Sequence, residues 1–153
     1  MDDEQGDKAL LLTRGGATYY AVATKFSQPI TNENKELVVQ YDLQLHQPLA
    51  CGGAYIKLLR EDPLILEEVN DKSPYTIMFG PDRCGSTNKV HFILQHQNPI
   101  NKEWEEKHFS NPPHIKNDDG SHLYTLRIKP DNQFEMYIDR ELVRSGNLLE
   151  DMT

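Results

Sequence analysis

Apolar and polar positions alternate most clearly over residues 36–45. Leu37, Val39, Tyr41, Leu43 and Leu45 share one parity, Glu36, Gln40, Asp42 and Gln44 the other, and Val38 alone is out of pattern. Successive side chains of a strand point to opposite faces, so this is a long, half-buried strand. Residues 19–26, entered through Gly15-Gly16, read as a second strand. Residues 90–95 read as a third, with Val90, Phe92 and Leu94 opposite His91, Ile93 and Gln95. Residues 123–128 and 133–138 flank Lys129-Pro130-Asp131-Asn132; the proline presets φ and Asp-Asn tolerates a tight bend, which predicts a hairpin. A second hairpin is predicted to join residues 90–96 to 103–108 across Asn98-Pro99, and residues 141–146 to add a short strand. The best helix candidate is the short segment 64–69, which follows Pro63. Many strands of similar length, joined by turn-rich loops without repeat or linker, predict an all-β fold. Two antiparallel sheets each bury one face and leave the other wet.

Size and charge narrow the function more than the fold. A chain of 153 residues suffices for one domain with its own core. The net charge of −8 opposes nucleic-acid binding, which needs clustered Lys and Arg against phosphates; it is compatible with calcium or neutral sugars. No apolar run approaches the roughly 20 residues that span a bilayer. The start, Met1-Asp2-Asp3-Glu4-Gln5, is acidic and polar rather than a signal peptide, and no Asn-x-Ser/Thr sequon occurs. Cys51 and Cys84 are the two cysteines. Their spacing fits neither a CxxC redox motif nor a four-ligand zinc site, which leaves two buried thiols or a disulfide. His46, His91, His96, His108, His114 and His122 follow no metal-ligand spacing.

Particular residues then become informative. The chain reads Cys51-Gly52-Gly53-Ala54-Tyr55-Ile56-Lys57-Leu58-Leu59, then Pro74-Tyr75-Thr76-Ile77-Met78-Phe79-Gly80-Pro81-Asp82-Arg83-Cys84-Gly85. Further on come Lys89-Val90-His91-Phe92-Ile93, Glu105-Glu106-Lys107-His108, His122-Leu123-Tyr124-Thr125-Leu126 and Ser145-Gly146-Asn147-Leu148-Leu149. In order and spacing these resemble the luminal lectin domain of the calnexin/calreticulin family, and the first and fourth segments lean towards calnexin. The resemblance runs from about Gly6 to Met152.

That resemblance implies a legume-lectin-like, concanavalin-type β-sandwich. It implies an endoplasmic-reticulum lumenal lectin chaperone, from a soluble or a membrane-anchored parent, that binds monoglucosylated N-glycans and unfolded polypeptides. Calcium is its implied cofactor, and thiol oxidoreductases of the reticulum its partners through a proline-rich arm. Carried over residue by residue, it makes Tyr55, Lys57, Tyr75, Met78 and Glu106 sugar contacts. Tyr55 and Lys57 are two apart and would share a strand face; an ammonium and a phenol can hydrogen-bond adjacent hydroxyls. Tyr75 and Met78 would cover the apolar face of a pyranose. Their three-residue separation puts them on opposite faces of an ideal strand, so the backbone must bend there. The carboxylate of Glu106 would accept from two sugar hydroxyls, with Glu105 turned away. Cys51 and Cys84 match the family disulfide beside the sugar, and Asp7 matches a calcium ligand, although one aspartate cannot supply six to eight oxygens.

Residues 1–6 are expected to form an acidic extension and residues 7–153 the sandwich. The chain stops at Asp151-Met152-Thr153, where the arm of the family begins. On that comparison the sandwich is incomplete, lacking an opening strand and a return segment with a second acidic sugar contact. Two rivals are a glycoside hydrolase working through Glu103 and Glu105 and a sugar-independent module that grips unfolded chains through apolar surface.

Overall fold

The computed structural model describes residues 8–13, 19–61 and 69–153. Among these residues there are nine strands and no helix: β1 (Leu37–Gln44), β2 (Cys51–Gly53), β3 (Ile56–Leu59), β4 (Tyr75–Cys84), β5 (Thr87–Gln97), β6 (Trp104–His108), β7 (Ser121–Ile128), β8 (Gln133–Ile138) and β9 (Glu141–Asn147). They make two antiparallel sheets. One has the order β1-β7-β8-β9; in the other β2 and β3 both pair with β4, followed by β5 and β6.

The alternation of residues 36–45 becomes β1, with Val39 buried and Leu37, Tyr41 and Leu43 packed on the core while Val38, Gln40, Asp42 and Gln44 are exposed. Both predicted hairpins form, β7–β8 around Pro130 and β5–β6 around Pro99. Asn132 closes the first at φ 66°, a left-handed position that asparagine tolerates better than most residues. Residues 19–26 correct the sequence reading. They are exposed and enter neither sheet, because alternation makes a strand only where a neighbouring ladder takes up the backbone hydrogen bonds. The helix expected at 64–69 falls, except for Val69, outside the described residues, as does Asp7.

The core lies between the sheets. Leu126, Tyr124, Phe134, Met136 and Ile138 come from one, Ile77, Phe79, Val90 and Phe92 from the other. Phe134 sits at the junction, edge-on to Phe92 at 5.0 Å and to Phe109 at 4.9 Å. Burying such rings supplies a large share of the stabilisation. The chain end seals one margin: the His108 N–H donates to the Thr153 carbonyl at 2.7 Å, and the Thr153 N–H returns a bond of 2.9 Å to His108.

Candidate carbohydrate site

A second apolar cluster lies on the far side of β4 and β5, away from the core. It consists of Tyr75, Met78 and Ile93, with Leu59 against it. The ladder explains how Tyr75 and Met78 come to share this face. Leu58 pairs with Ile77 but Leu59 pairs with Tyr75, so Thr76 is an extra residue and the strand bulges. The Thr76 hydroxyl donates to the Leu58 carbonyl at 3.0 Å, which satisfies an acceptor at the irregularity. The bend that a three-residue spacing demanded is this bulge.

Polar groups ring the cluster. Lys57 lies opposite Met78 in the ladder; its ammonium stands 4.8 Å from the Tyr75 ring centroid and donates to the Asp71 carbonyl at 3.3 Å. The Tyr75 hydroxyl donates to Glu106 Oε1 at 2.6 Å, reaching from β4 across β5 to β6. Gln95 donates to the same oxygen at 3.2 Å, and His108 Nε2 is 3.2 Å from Oε2. The Tyr75 bond, then His108 and the Lys57 charge, outweigh burial and hold the Glu106 carboxyl below its usual range. Burial and that same carboxylate push the Tyr75 phenol up to about 12. At neutral pH the site therefore presents an anion, a cation and a protonated phenol within one neighbourhood.

Tyr55 reaches this neighbourhood by a route that strand alternation does not describe. It sits in the break between β2 and β3, not in a strand. Three features hold it. The Ala54 N–H donates to the Pro81 carbonyl at 2.9 Å. Tyr41 sends its hydroxyl from the opposite sheet to the Ala54 carbonyl at 2.7 Å. Two glycines make room: a Cβ on Gly53 would press on the Tyr55 ring (Cδ1 at 2.7 Å), and one on Gly80 would strike the Tyr41 hydroxyl and the Tyr55 Cα at 2.7 Å. Gly80 also has φ +140°, which other residues rarely adopt. The Tyr55 ring stays 40% exposed; its phenol is raised by burial and by the nearby Asp82 charge.

Cys51 and Cys84 are directly opposed in the β2–β4 ladder and joined as a disulfide. This closes the end of the sheet next to Tyr55. Asp82 and His91, 2.9 Å apart, border the same end. Burial lowers the His91 pKa despite the Asp82 bond, so the ring is neutral at pH 7.

The sequence-predicted Tyr55, Lys57, Tyr75, Met78 and Glu106 thus converge on one face, beside the disulfide. Met78 and Tyr75 are its floor rather than its rim, at 9% and 6% exposure. Sequence reasoning passed over Asp82, His91, Gln95, Arg60 and Trp104. Gln95 and Trp104 could have been found from parity, since each shares a face with Glu106 through the β5–β6 register. Glu105 belongs to the opposite parity and pairs with His96 and Lys107 instead. An open cleft of about 320 Å³ among Asp42, Ser121, Leu123, Asp139 and Arg140 lies on the other sheet, remote from these groups. Among the described residues no set of three or more His, Cys, Asp or Glu is arranged to hold a metal ion. The residues on view therefore do not fit calcium, a cation that wants six to eight oxygens.

Three comparisons with known proteins agree with the fold. The profile of the Calreticulin family matches residues 1–153. A calnexin homolog of Aspergillus fumigatus is 50% identical over 147 residues, which cover 95% of this chain and 26% of that protein. Human calmegin is 43% identical over 153 residues, covering 96% of this chain and 25% of calmegin. Among solved structures, the T. cruzi calreticulin globular domain superposes with a TM-score of 0.73 at 42% identity, over 83% of this chain and 45% of that one. The chain spans about a quarter of the length of the curated relatives it matches.

Proposed function

The chain belongs to the Calreticulin family, and on that premise we propose that its outer-face cluster holds the terminal glucose of a monoglucosylated N-glycan, as part of a lectin chaperone of the endoplasmic reticulum. One observation carries the reading. Lys57, Tyr55 and Glu106 ring an apolar floor of Tyr75, Met78 and Ile93. A pyranose has the same division, with hydroxyls around its edge and C–H groups on its faces. The floor covers the C–H face, Glu106 accepts from hydroxyls, and Lys57 and Tyr55 donate to them. These groups bind and orient a sugar and do not transform it. Glu105, one of the two carboxylates of the hydrolase reading, faces away from them.

Binding to the intact protein tests the proposal: a monoglucosylated oligosaccharide should bind at least about tenfold more tightly than its glucose-free counterpart, since unpaired polar groups penalise the analogue that lacks the hydroxyls. Lys57→Ala should remove that preference. Equal affinity for the two sugars sinks the proposal.

A second reading, sugar-independent capture of unfolded chains, has one observation in its favour. Leu10, Leu11, Leu12, Tyr19, Val22 and Phe26 are all exposed, and exposed apolar side chains attract unfolded polypeptide. It predicts that Lys57→Ala leaves suppression of aggregation of an unglycosylated client intact.

A further inference from the structure

We propose that the cleft on the β1-β7-β8-β9 sheet binds a hydroxylated carboxylate the size of a hexuronic acid, with Arg140 as the group that holds the carboxylate. This cleft lies on the sheet opposite the hexose site and owes nothing to it. It encloses about 320 Å³ and is lined by Asp42, Ser121, Leu123, Asp139 and Arg140, a volume at the small end of the range for ligand sites. Three elements bring these residues together. Asp42 of β1 lies directly opposite Leu123 of β7. The connection between β8 and β9 is fastened to the same leucine: the Leu123 N–H donates to Asp139 Oδ1 at 2.9 Å, and the Asp139 N–H donates to the Leu123 carbonyl at 2.9 Å.

The acids of the cleft are engaged and its base is not. The Ser121 hydroxyl donates to Asp42 Oδ1. Asp139 spends one oxygen on the Leu123 N–H and the other on His122 Nδ1 at 2.7 Å. That His122 bond, foremost, holds the Asp139 carboxyl below its usual range. Among the described residues the Arg140 guanidinium makes no hydrogen bond or ion pair. Its backbone is strained as well. Asp139 and Arg140 connect β8 to β9 with φ of 54° and 70°. A two-residue hairpin of this left-handed kind favours Asn or Asp first and Gly second. Asp139 follows that preference and Arg140 departs from it. An unpaired cation held at a disfavoured φ beside a cleft points to work for its side chain rather than for the turn.

The lining decides the class of ligand. A guanidinium pairs best with a carboxylate, through two parallel N–H bonds. The second oxygen of Asp42 and the lone pairs of Ser121 Oγ accept from hydroxyls. Leu123, half-buried and on the outward parity of β7, offers an apolar floor to C–H groups. A neutral hexose leaves the guanidinium without a counterion. A simple carboxylate leaves Asp42 and Ser121 without donors. A phosphate dianion meets the charges of Asp42 and Asp139 at close quarters. A sugar acid satisfies all three parts of the cleft at once.

Calorimetric titration of the intact protein with glucuronate, glucose, acetate and inorganic phosphate tests the site. Glucuronate should bind at least about tenfold more tightly than any of the other three. Arg140→Gly removes the guanidinium and gives the turn the residue that its φ favours. It should therefore keep or raise the melting temperature, reduce glucuronate to the level of glucose, and leave binding of a monoglucosylated oligosaccharide unchanged. Lys57→Ala, on the opposite sheet, should leave glucuronate binding unchanged; a loss there would assign the acid to the hexose site and overturn this one. The methyl glycoside of glucuronate reads the source of the ligand. Binding equal to that of the free acid supports the end of a glycan, and binding of the free acid alone supports a free sugar acid. Glucuronate no tighter than glucose, acetate or phosphate, or an Arg140→Gly variant that binds it like the wild type, overturns the cleft as a site and leaves the hexose reading untouched.

Discussion

The outward faces of the two sheets solve the same problem in opposite ways. On the β1-β7-β8-β9 sheet the surface is a lattice of charge. Arg127 pairs with Glu36 and, at 3.1 Å, with Glu135, which also takes bonds from Lys129 at 2.5 Å and Tyr137 at 2.7 Å. Lys129 first, then Tyr137 and Arg127, draw the Glu135 carboxyl down to about 2. On the other sheet the outward face is apolar at its centre, at Tyr75, Met78 and Ile93, with the Lys57 ammonium beside the Tyr75 ring and Glu106 bonded to its hydroxyl. The first face pairs its own charges. The second sets polar groups beside apolar ones, and such a surface can take a ligand that is itself divided in that way. The difference teaches where to look: the face whose apolar residues the sandwich does not need is the face available for recognition.

Substitutions can break or sharpen this contrast. Phe134→Ala, in the shared core, should cost about 3–5 kcal/mol in denaturant unfolding, while Met78→Ala on the outer face should cost clearly less yet weaken glycan binding. Equal costs would mean that the outer cluster is core after all. Replacing Cys51 and Cys84 together by serine should cost about 3–4 kcal/mol in the chain-entropy picture, and should loosen the Tyr55 end of the site more than the Trp104 end, as backbone hydrogen exchange would read. Tyr41→Phe removes the bond to the Ala54 carbonyl and should cost about 1–2 kcal/mol. It touches nothing on the outer face, so a several-fold loss of glycan affinity in a folded variant would establish that the opposite sheet positions Tyr55. The smallest effect belongs to the charged lattice. Arg127→Ala, at a solvent-screened pair, should change stability less than any of these and leave glycan affinity alone. Because the folded pKa of Glu135 is depressed from 4.5 to about 2, its contribution is present above pH 4.5 and should vanish as pH falls towards 2. Unfolding midpoints at pH 6 and pH 2.5, with and without Arg127, would check the sign.

Much of this was legible from residue order. Strand β1 and the β7–β8 hairpin follow from parity and turn chemistry, because each has one wet face and one dry. The five converging residues were named from a family resemblance, not from periodicity. Periodicity misled wherever its assumption of a regular, singly buried strand did not hold. Residues 19–26 read as a strand but enter no ladder. Tyr75 and Met78 violate alternation and still share a face, because a bulge at Thr76 resets it. Tyr55 lies in no strand, and what holds it is a hydroxyl on Tyr41 and the bareness of Gly53 and Gly80. Each of these depends on a partner distant in sequence, which local pattern cannot express. Arg60 and Trp104 fall in the same category, meeting across the two strands that separate the edges they come from.

The bond from Tyr75 to Glu106 sets how such a lectin would let go. With no guest present, the carboxylate is not waiting empty; it is occupied by the phenol beneath it. An arriving hydroxyl must compete with that internal contact, so only the difference between two similar bonds contributes to holding the sugar. A receptor arranged in this manner recovers its own resting contact the moment the glycan departs, which favours brief visits over prolonged capture.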